Sequence, residues 1–373
     1  MKILIDIGHP AHVHLFRCFA QEMQLNGHQV LFTCRDKEFE IYLLTQFGFS
    51  FKSFGKKYKS GIGKLWGLIE FDIKELVAGL KFRPDIFVSH GSMYAAHAAF
   101  FLNKPHISLE DTFNFEQVRL YKPFTKAILT SDYEHPLKSE KVIRYAGYHE
   151  LAYLHPKRFT PDKSVLMELG VGENEKYVII RFVSWNASHD YGHKGISYEN
   201  KIKAVDAFSR HAKVFISSEN ELPEELKKYQ FKIAPERMHD AIAFSYLVFG
   251  ESSTMAEEAA MLGVPSIYLN NKSTYYTQHL EKDYGLVFNF TESNSDQLLA
   301  IQKGVELLQQ PGIKEQWQQK REKMLVEKID VTSFLVWFVE NYPVSVNIIR
   351  ENPEYQQNFQ LGVEKANHQK SDY

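Results

Sequence analysis

The chain has 373 residues, with 44 Lys and Arg against 46 Asp and Glu, a formal net charge of −2 and a pI near 6.8. That balance gives no overall pull toward nucleic acid or an anionic surface. The hydrophobic content of 44% and charged content of 24% suit a globular protein with two ordinary-sized domains, and no run approaches the ~18 apolar residues that cross a bilayer. The two cysteines, Cys18 and Cys34, cannot build a disulfide framework. They fit a reducing cytoplasm, and Met1 leads directly into a strand, so no signal peptide is expected.

Lys2–Ile7 reads as a buried parallel strand, and Gly8-His9-Pro10-Ala11 as a loop. A helix is predicted from about His12 to Asn26, with Phe16, Phe19, Ala20 and Met23 as its core stripe and Gly27 as its stop. The next strands are Gln29–Thr33, Ile86–Ser89, His106–Leu109 and Ala127–Thr130, giving a βαβ pattern and a doubly wound sheet. A Pro-containing stretch from Leu154 to Pro161 reads as a linker, after which the pattern restarts. Tyr177–Phe182 is the new first strand. A helix over about Tyr198–His211 follows, then strands Lys213–Ser217, Leu247–Gly250 and Ser266–Leu269. An apolar helix lies near Val331–Tyr342, and 346–373 reads as a polar, frayed tail.

The richest segment is 248–270: a strand, a Gly250-Glu251-Ser252-Ser253-Thr254 turn, an Ala-rich helix, and a Gly-Val-Pro break into the next strand. Unpaired N–H groups and the dipole at such a helix start favour an anion. Thr254-Met-Ala-Glu257 fits a capping box with Thr254 as cap, so Glu257 is expected to be structural. Glu258 is rotated ~100° on the helix. By chemistry alone it is either an acceptor for a ribose diol or a solvated carboxylate.

The register Glu251-Ser-Ser-Thr-Met-Ala-Glu-Glu258-Ala259 resembles, without gaps, the Asp-Ser-Gly-Gly-x-x-Glu-Glu-Ala pattern of non-hydrolysing UDP-N-acetylglucosamine 2-epimerases. The resemblance implies diphosphate binding by Ser252, Ser253 and Thr254, and ribose binding by Glu258. Two family glycines are Ser253 and Thr254 here. Pro105–Glu110 resembles the same family's strand ending in His-Val-Glu, with Glu110 on the family Glu. Glu110 and Asp111 together are candidates for acid/base work or for binding sugar hydroxyls; the alternative is an exposed acidic turn. Other positions depart from that family: His90-Gly91-Ser92 stands where it has His-Gly-Asp, and neither its Pro-Glu-Glu-x-Asn-Arg region nor its His-Arg-Arg-Glu-Asn strand is kept. Those losses argue against C2 epimerisation.

His12 lies at the carboxyl end of the first strand, at or just inside a helix start where the dipole favours neutral imidazole. The loop resembles the Gly-rich, His-ending loop of the peptidoglycan N-acetylglucosaminyltransferase, with His12 in the place of its histidine. His12 is the candidate base or acceptor ligand; otherwise it is a capping or packed histidine. His9, His12 and His14, and separately His189 and His193, invite a metal reading. They lack a convergent, rigid framework, so no metal is expected. Arg181 is read as a phosphate contact or as one half of a surface ion pair. By resemblance to GT-B proteins, Met238 and His239 fall where the nucleotide base is held. Lys52 to Trp66 mixes basic and aromatic side chains; it reads as a solvated loop or as a patch that rests on an anionic membrane.

The whole pattern resembles an uncharacterised prokaryotic family with a predicted GT-B fold over about residues 1–340. That implies two facing Rossmann-like domains, an acceptor domain at 1–155 and a nucleotide-sugar domain at 160–330, with a crossover helix at 331–345 packing back on the first and a polar tail at 346–373. The expected function is metal-independent glycosyl transfer, without cofactor, from a UDP-sugar to a saccharide or lipid-linked acceptor of the cell surface. It would take place in the cytoplasm or at the inner face of the membrane, with no nucleic-acid partner. His12 or Glu110 would deprotonate the acceptor, with Asp111 beside them. Arg181, Gly250 and Ser252–Thr254 would hold the departing diphosphate. The alternatives are a nucleotide-sugar epimerase or hydrolase, and a non-catalytic nucleotide-sugar-binding protein.

Overall fold

The computed structural model describes residues 1–56, 61–183 and 195–361, and only the backbone of 61–65. The chain divides into two compact units, one made of Met1–Arg158 with Glu327–Tyr373, the other of Phe159–Val326. The first is built on a seven-stranded sheet: β1 (Lys2–Ile7), β2 (Gln29–Asp36), β3 (Phe51–Lys56), β4 (Ile86–His90), β5 (His106–Leu109), β6 (Ala127–Ser131) and β7 (Val142–Tyr145). Its order is β3-β2-β1-β4-β5-β6-β7, with every neighbouring pair parallel. The second has five strands: β8 (Tyr177–Phe182), β9 (Lys213–Ser218), β10 (Leu247–Gly250), β11 (Ser266–Leu269) and β12 (Val287–Phe290), in the order β12-β11-β10-β8-β9, again all parallel.

Central strands such as Ile3-Leu4-Ile5 and Val178-Ile179-Ile180 are wholly buried. This is why they read as continuous apolar runs rather than alternating ones. In each sheet the chain leaves one central strand in both directions: β1 lies between β2 and β4, and β8 between β9 and β10. The crevice at the carboxyl ends of such neighbours is where open α/β sheets bind ligands. It falls at β1/β4 in the first unit and at β8/β10 in the second.

The first helix spans Pro10–Leu25 and buries Phe16, Phe19, Ala20 and Met23. It begins two residues before the predicted start. Pro10 fits the first turn, where its missing N–H costs nothing, and His9 caps the helix by accepting the Ala11 N–H. The helix Val331–Glu340 belongs to the first unit and packs on Pro10–Leu25. Leu335 and Val339 line the same apolar gap as Phe19 and Ile107. The segment read as a tail from 346 contains ordered structure: Val344–Glu351 is a separate helix and Pro353–Phe359 forms a 3-10 helix. Tyr355 stacks on Trp337 with ring centroids 4.7 Å apart, and Phe359 joins them. Those aromatic anchors sit in otherwise polar sequence.

Arg158 ties the two sequence segments of the first unit together. Its guanidinium donates to both oxygens of Asp330 at 2.7–3.0 Å, to Ser333 at 2.7 Å and to Glu22 at 2.6 Å.

Candidate functional site

In the first unit, polar side chains collect at the β1/β4 switch point. Asp6, wholly buried near the end of β1, accepts from Arg35 at 2.6 Å, from Thr33 at 3.0 Å and from the Ser92 hydroxyl. Glu75 accepts from Thr33 at 3.1 Å, and burial, then Asp6, pushes its carboxyl well above the usual range. Among the described residues Arg35 is the cation paired with Asp6, and it lies under Gly8, where an added Cβ would stand 3.0 Å from its guanidinium. Sequence reading missed this network because its members lie on four separate elements. It also explains Ser92: at the position where the epimerase pattern has an acid, the hydroxyl is committed to Asp6.

His12 is the third residue of its helix and half-buried. Its Nδ1 accepts the Gly8 N–H at 3.3 Å. Burial, then neighbouring His90 and His9, holds its pKa well below the ordinary imidazole value, so it is neutral at pH 7. The neutral state matches expectation, but its main cause is burial rather than the helix dipole. With Nδ1 accepting, the ring proton sits on Nε2.

Glu110 and Asp111 do not act as a pair. Consecutive residues leaving a strand point to opposite sides, and these two separate completely. Glu110 Oε1 accepts the N–H groups of Thr112 at 3.0 Å and Phe113 at 2.7 Å and the Thr112 hydroxyl at 2.9 Å. Its Oε2 accepts the Tyr121 hydroxyl at 2.5 Å. Buried in this way, it organises the turn after β5. Asp111 turns instead to two imidazoles, His90 Nε2 and His149 Nδ1, each 2.9 Å from one carboxylate oxygen. The His90 ring lies 4.5 Å from that of His12. Thus His12, His90, Asp111 and His149 form one cluster at the ends of β1, β4, β5 and β7. His90 was visible in the His-Gly-Ser match. His149 follows β7, which the sequence did not reveal.

Burial alone would lower the His90 pKa, but Asp111 more than reverses that and raises it to about 9. Burial would raise Asp111, but His149 and His90 hold it well below the usual carboxylate range. The raised imidazole adds stability that is complete below its ordinary 6.5 and is lost as pH rises through about 9. The depressed carboxylate adds stability that is present above 3.8 and lost in acid. The thermal midpoint of the chelator-stripped wild type is therefore expected to fall between pH 6.5 and about 9 relative to Asp111→Asn measured the same way. Parallel curves for the two proteins would show that the pair carries no linkage.

In the second unit the β8/β10 switch point holds the GESST turn. Gly250, the last residue of β10, has φ +151°, and a Cβ built there would lie 2.0 Å from the Arg181 carbonyl oxygen. The Glu251 N–H donates to that same oxygen at 3.0 Å, and its buried carboxylate accepts from Val183 N at 2.9 Å and Ile196 N at 2.5 Å. The helix spans Ser253–Met261 and is capped by Ser252, whose hydroxyl accepts the Met255 N–H at 3.3 Å. This corrects the capping-box reading: Thr254 is inside the first turn, and Glu257 is buried a turn further in. Ser253 accepts a hydrogen bond from the Tyr276 hydroxyl at 2.7 Å.

Glu258 is not a solvated carboxylate. It is buried, and Oε1 lies 2.8 Å from His239 Nε2. Two residues assigned separately to ribose and base are thus brought together. Met238 opens the helix Met238–Phe244 and is half-buried. Arg181 is engaged in the ion pair considered for it, 2.7 Å from Glu219 and 2.8 Å from Ser217 Oγ. Most of the loop 184–196, with His189 and His193, lies outside the described residues, as do Lys57–Lys59 of the basic-aromatic stretch.

Two all-parallel α/β units, each gathering polar side chains at its switch point, define the GT-B type of fold. The chain belongs to the family described as "Protein of unknown function (DUF354)", whose profile matches residues 1–327. No curated protein matches the sequence. Among solved structures, S. aureus MnaA in a UDP co-structure is 13% identical with a TM-score of 0.67, covering 92% of this chain and 97% of that one. UDP-GlcNAc 2-epimerase from Neisseria meningitidis bound to UDP-GlcNAc is 15% identical with a TM-score of 0.62, covering 91% and 100%. A Streptomyces sp. SF2575 glycosyltransferase is 12% identical with a TM-score of 0.59, covering 91% and 100%. Two of these neighbours are named as enzymes, an epimerase and a glycosyltransferase, and at such identities the likeness establishes the fold.

Proposed function

We propose that this protein is a glycosyltransferase that moves a sugar from a UDP-sugar to a saccharide or lipid-linked acceptor. The observation that carries this reading is the second unit's turn. Gly250 is pressed against Arg181, the helix start of Ser252–Thr254 follows at the switch point, and the buried Glu258 is oriented by His239 one turn on. Backbone N–H groups there receive a diphosphate without a metal, and Glu258 accepts the ribose diol. In the first unit His12, with its proton on Nε2, positions the acceptor oxygen by donating to it; as that oxygen attacks the sugar and the bond to the diphosphate breaks, the acceptor's proton passes to the departing diphosphate. Glu110, fully engaged in its turn, serves structure. Ser92, tied to Asp6, supplies no acid for an epimerase.

The test is thermal stability of the full chain against UDP, UDP-sugars, NAD and ATP. A ligand at 100 times its dissociation constant adds ~2.7 kcal/mol to the folded state. A shift with UDP compounds alone supports the reading. No shift with any nucleoside diphosphate sinks it.

The lipid-linked acceptor reading has its own support. The helix Gly61–Phe82 exposes Trp66 (61%), Ile69, Ile73 and Leu80 along one stripe, and β3 of the same unit exposes Lys52 and Lys56. Among the described residues no helix is long and apolar enough to cross a membrane, so contact would be at the surface. Co-sedimentation with anionic phospholipid vesicles is expected, and Ile69→Ser/Ile73→Ser should weaken it by about tenfold or more, given ~1.5–3 kcal/mol per buried aliphatic side chain. A wild type that stays in the supernatant ends this proposal.

A further inference from the structure

We infer that the first unit holds a binding site for a divalent transition-metal cation, formed by His90 Nε2, a carboxylate oxygen of Asp111 and His149 Nδ1. Those three atoms all lie within 4.8 Å of one another, and each imidazole nitrogen is already 2.9 Å from a carboxylate oxygen. A cation bonded at ~2.0–2.2 Å to each donor needs shifts below ~1 Å per side chain. The donors come from the end of β4, from just after β5 and from just after β7, so a parallel sheet supplies the rigid framework that the loop histidines 9, 12 and 14 lack. All three residues are largely withdrawn from solvent, with side-chain exposures of 11%, 14% and 4%. Surface carboxylates that meet a histidine by chance are not held in this way.

The surroundings fix the geometry further. His149 stacks on Tyr145 with centroids 6.1 Å apart, and Gly91, with φ +61°, turns the chain sharply immediately after His90. Two imidazoles and one carboxylate make a borderline donor set suited to Zn²⁺, Fe²⁺ or Mn²⁺ rather than to Mg²⁺ or Ca²⁺. Three protein ligands leave coordination positions open for water or a substrate oxygen. The ring of His12 lies 4.5 Å from that of His90, which brings a second polar side chain close to one of the three ligands. The site stands on the first unit alone and does not depend on UDP binding in the second.

The experiment is calorimetric titration of the full-length, chelator-stripped protein with Zn²⁺ and Mn²⁺, without nucleotide. A single saturable equivalent per chain is expected. Asp111→Asn and His149→Gln should each weaken it by at least ~10–100-fold, the loss that removing even an outer-shell partner causes, while still melting cooperatively. X-ray absorption on the zinc-loaded wild type keeps the test decisive if a variant does not fold: two imidazoles in the zinc shell support the site, and a shell without histidine overturns it. No saturable uptake by the wild type, or unchanged affinity in both folded variants, overturns it as well. Those outcomes would leave the cluster as a proton-linked ion pair.

Discussion

Gly250→Ala is expected to destabilise the second unit by ~3–5 kcal/mol, a large part of a domain's ~5–15 kcal/mol. The methyl group would have to occupy a point 2.0 Å from the Arg181 carbonyl oxygen and 2.9 Å from the Arg181 nitrogen, both in the neighbouring strand. Neither is the far end of a flexible side chain. β8 and β10 pair in register at this point, Gly250 opposite Arg181, so relief requires parting the two central strands of the sheet. Overpacking alone costs ~1–3 kcal/mol, and holding a non-glycine residue at φ +151° adds a similar strain. Denaturant unfolding followed by fluorescence and circular dichroism reads the result. The Gly48→Ala exchange, where a Cβ meets nothing within 4 Å, provides the comparison for the cost of positive φ alone. Equal, small losses at both positions would mean that the strands separate with little penalty and that Gly250 is not fixed by close approach.

The second large effect concerns Glu258. Glu258→Ala should cut UDP affinity by ~30- to 1000-fold, from ~2–4 kcal/mol of charge-assisted hydrogen bonding to the ribose diol. It should also cost ~1–3 kcal/mol of stability, because the His239 imidazole loses its carboxylate partner inside the protein. Glu258→Gln separates the two effects. It keeps an acceptor oxygen and the shape, so the stability loss should shrink while much of the binding loss remains. Calorimetry with UDP on folded variants decides. Unchanged UDP affinity in Glu258→Ala would confine this carboxylate to orienting His239.

Strands that are covered on both faces were legible from the sequence. Tyr177–Phe182, Leu247–Gly250, Ser266–Leu269 and His106–Leu109 match the predicted bounds to the residue, because burial on both sides keeps such strands mostly apolar even where buried His106, Ser108 and Ser266 interrupt them. The three strands that sequence reading missed, β3, β7 and β12, all lie at sheet edges. An edge strand is partly solvated and carries mixed residues: Phe51–Lys56 reads FKSFGK and passes for a basic loop. The first helix was visible by its stripe but misplaced at its start, since proline looks like a break unless it is recognised as a first-turn residue.

The site was legible where function lies in contiguous chain. The turn from Gly250 to Glu258 is one local element, so its anion-binding character could be read directly. What failed was direction. Glu110 and Asp111 are adjacent in sequence, yet one builds a turn and the other joins two histidines 21 and 38 positions away from it. Thr254 and Ser252 are equally good caps by chemistry, and only the backbone, extended at Ser252, chooses between them. Asp6, Thr33, Arg35, Glu75 and Ser92 carry no local pattern, because their relation is created by the sheet.

The Arg158 clasp sets a timetable for synthesis. A chain emerging from the ribosome presents Arg158 and Glu22 long before Asp330 and Ser333 exist, and the whole second unit is made in between. During that interval the apolar face later shielded by Leu335 and Val339 has no cover, so the nascent first unit is the stage most in need of chaperoning. The second unit, continuous from 159 to 326, has no such wait.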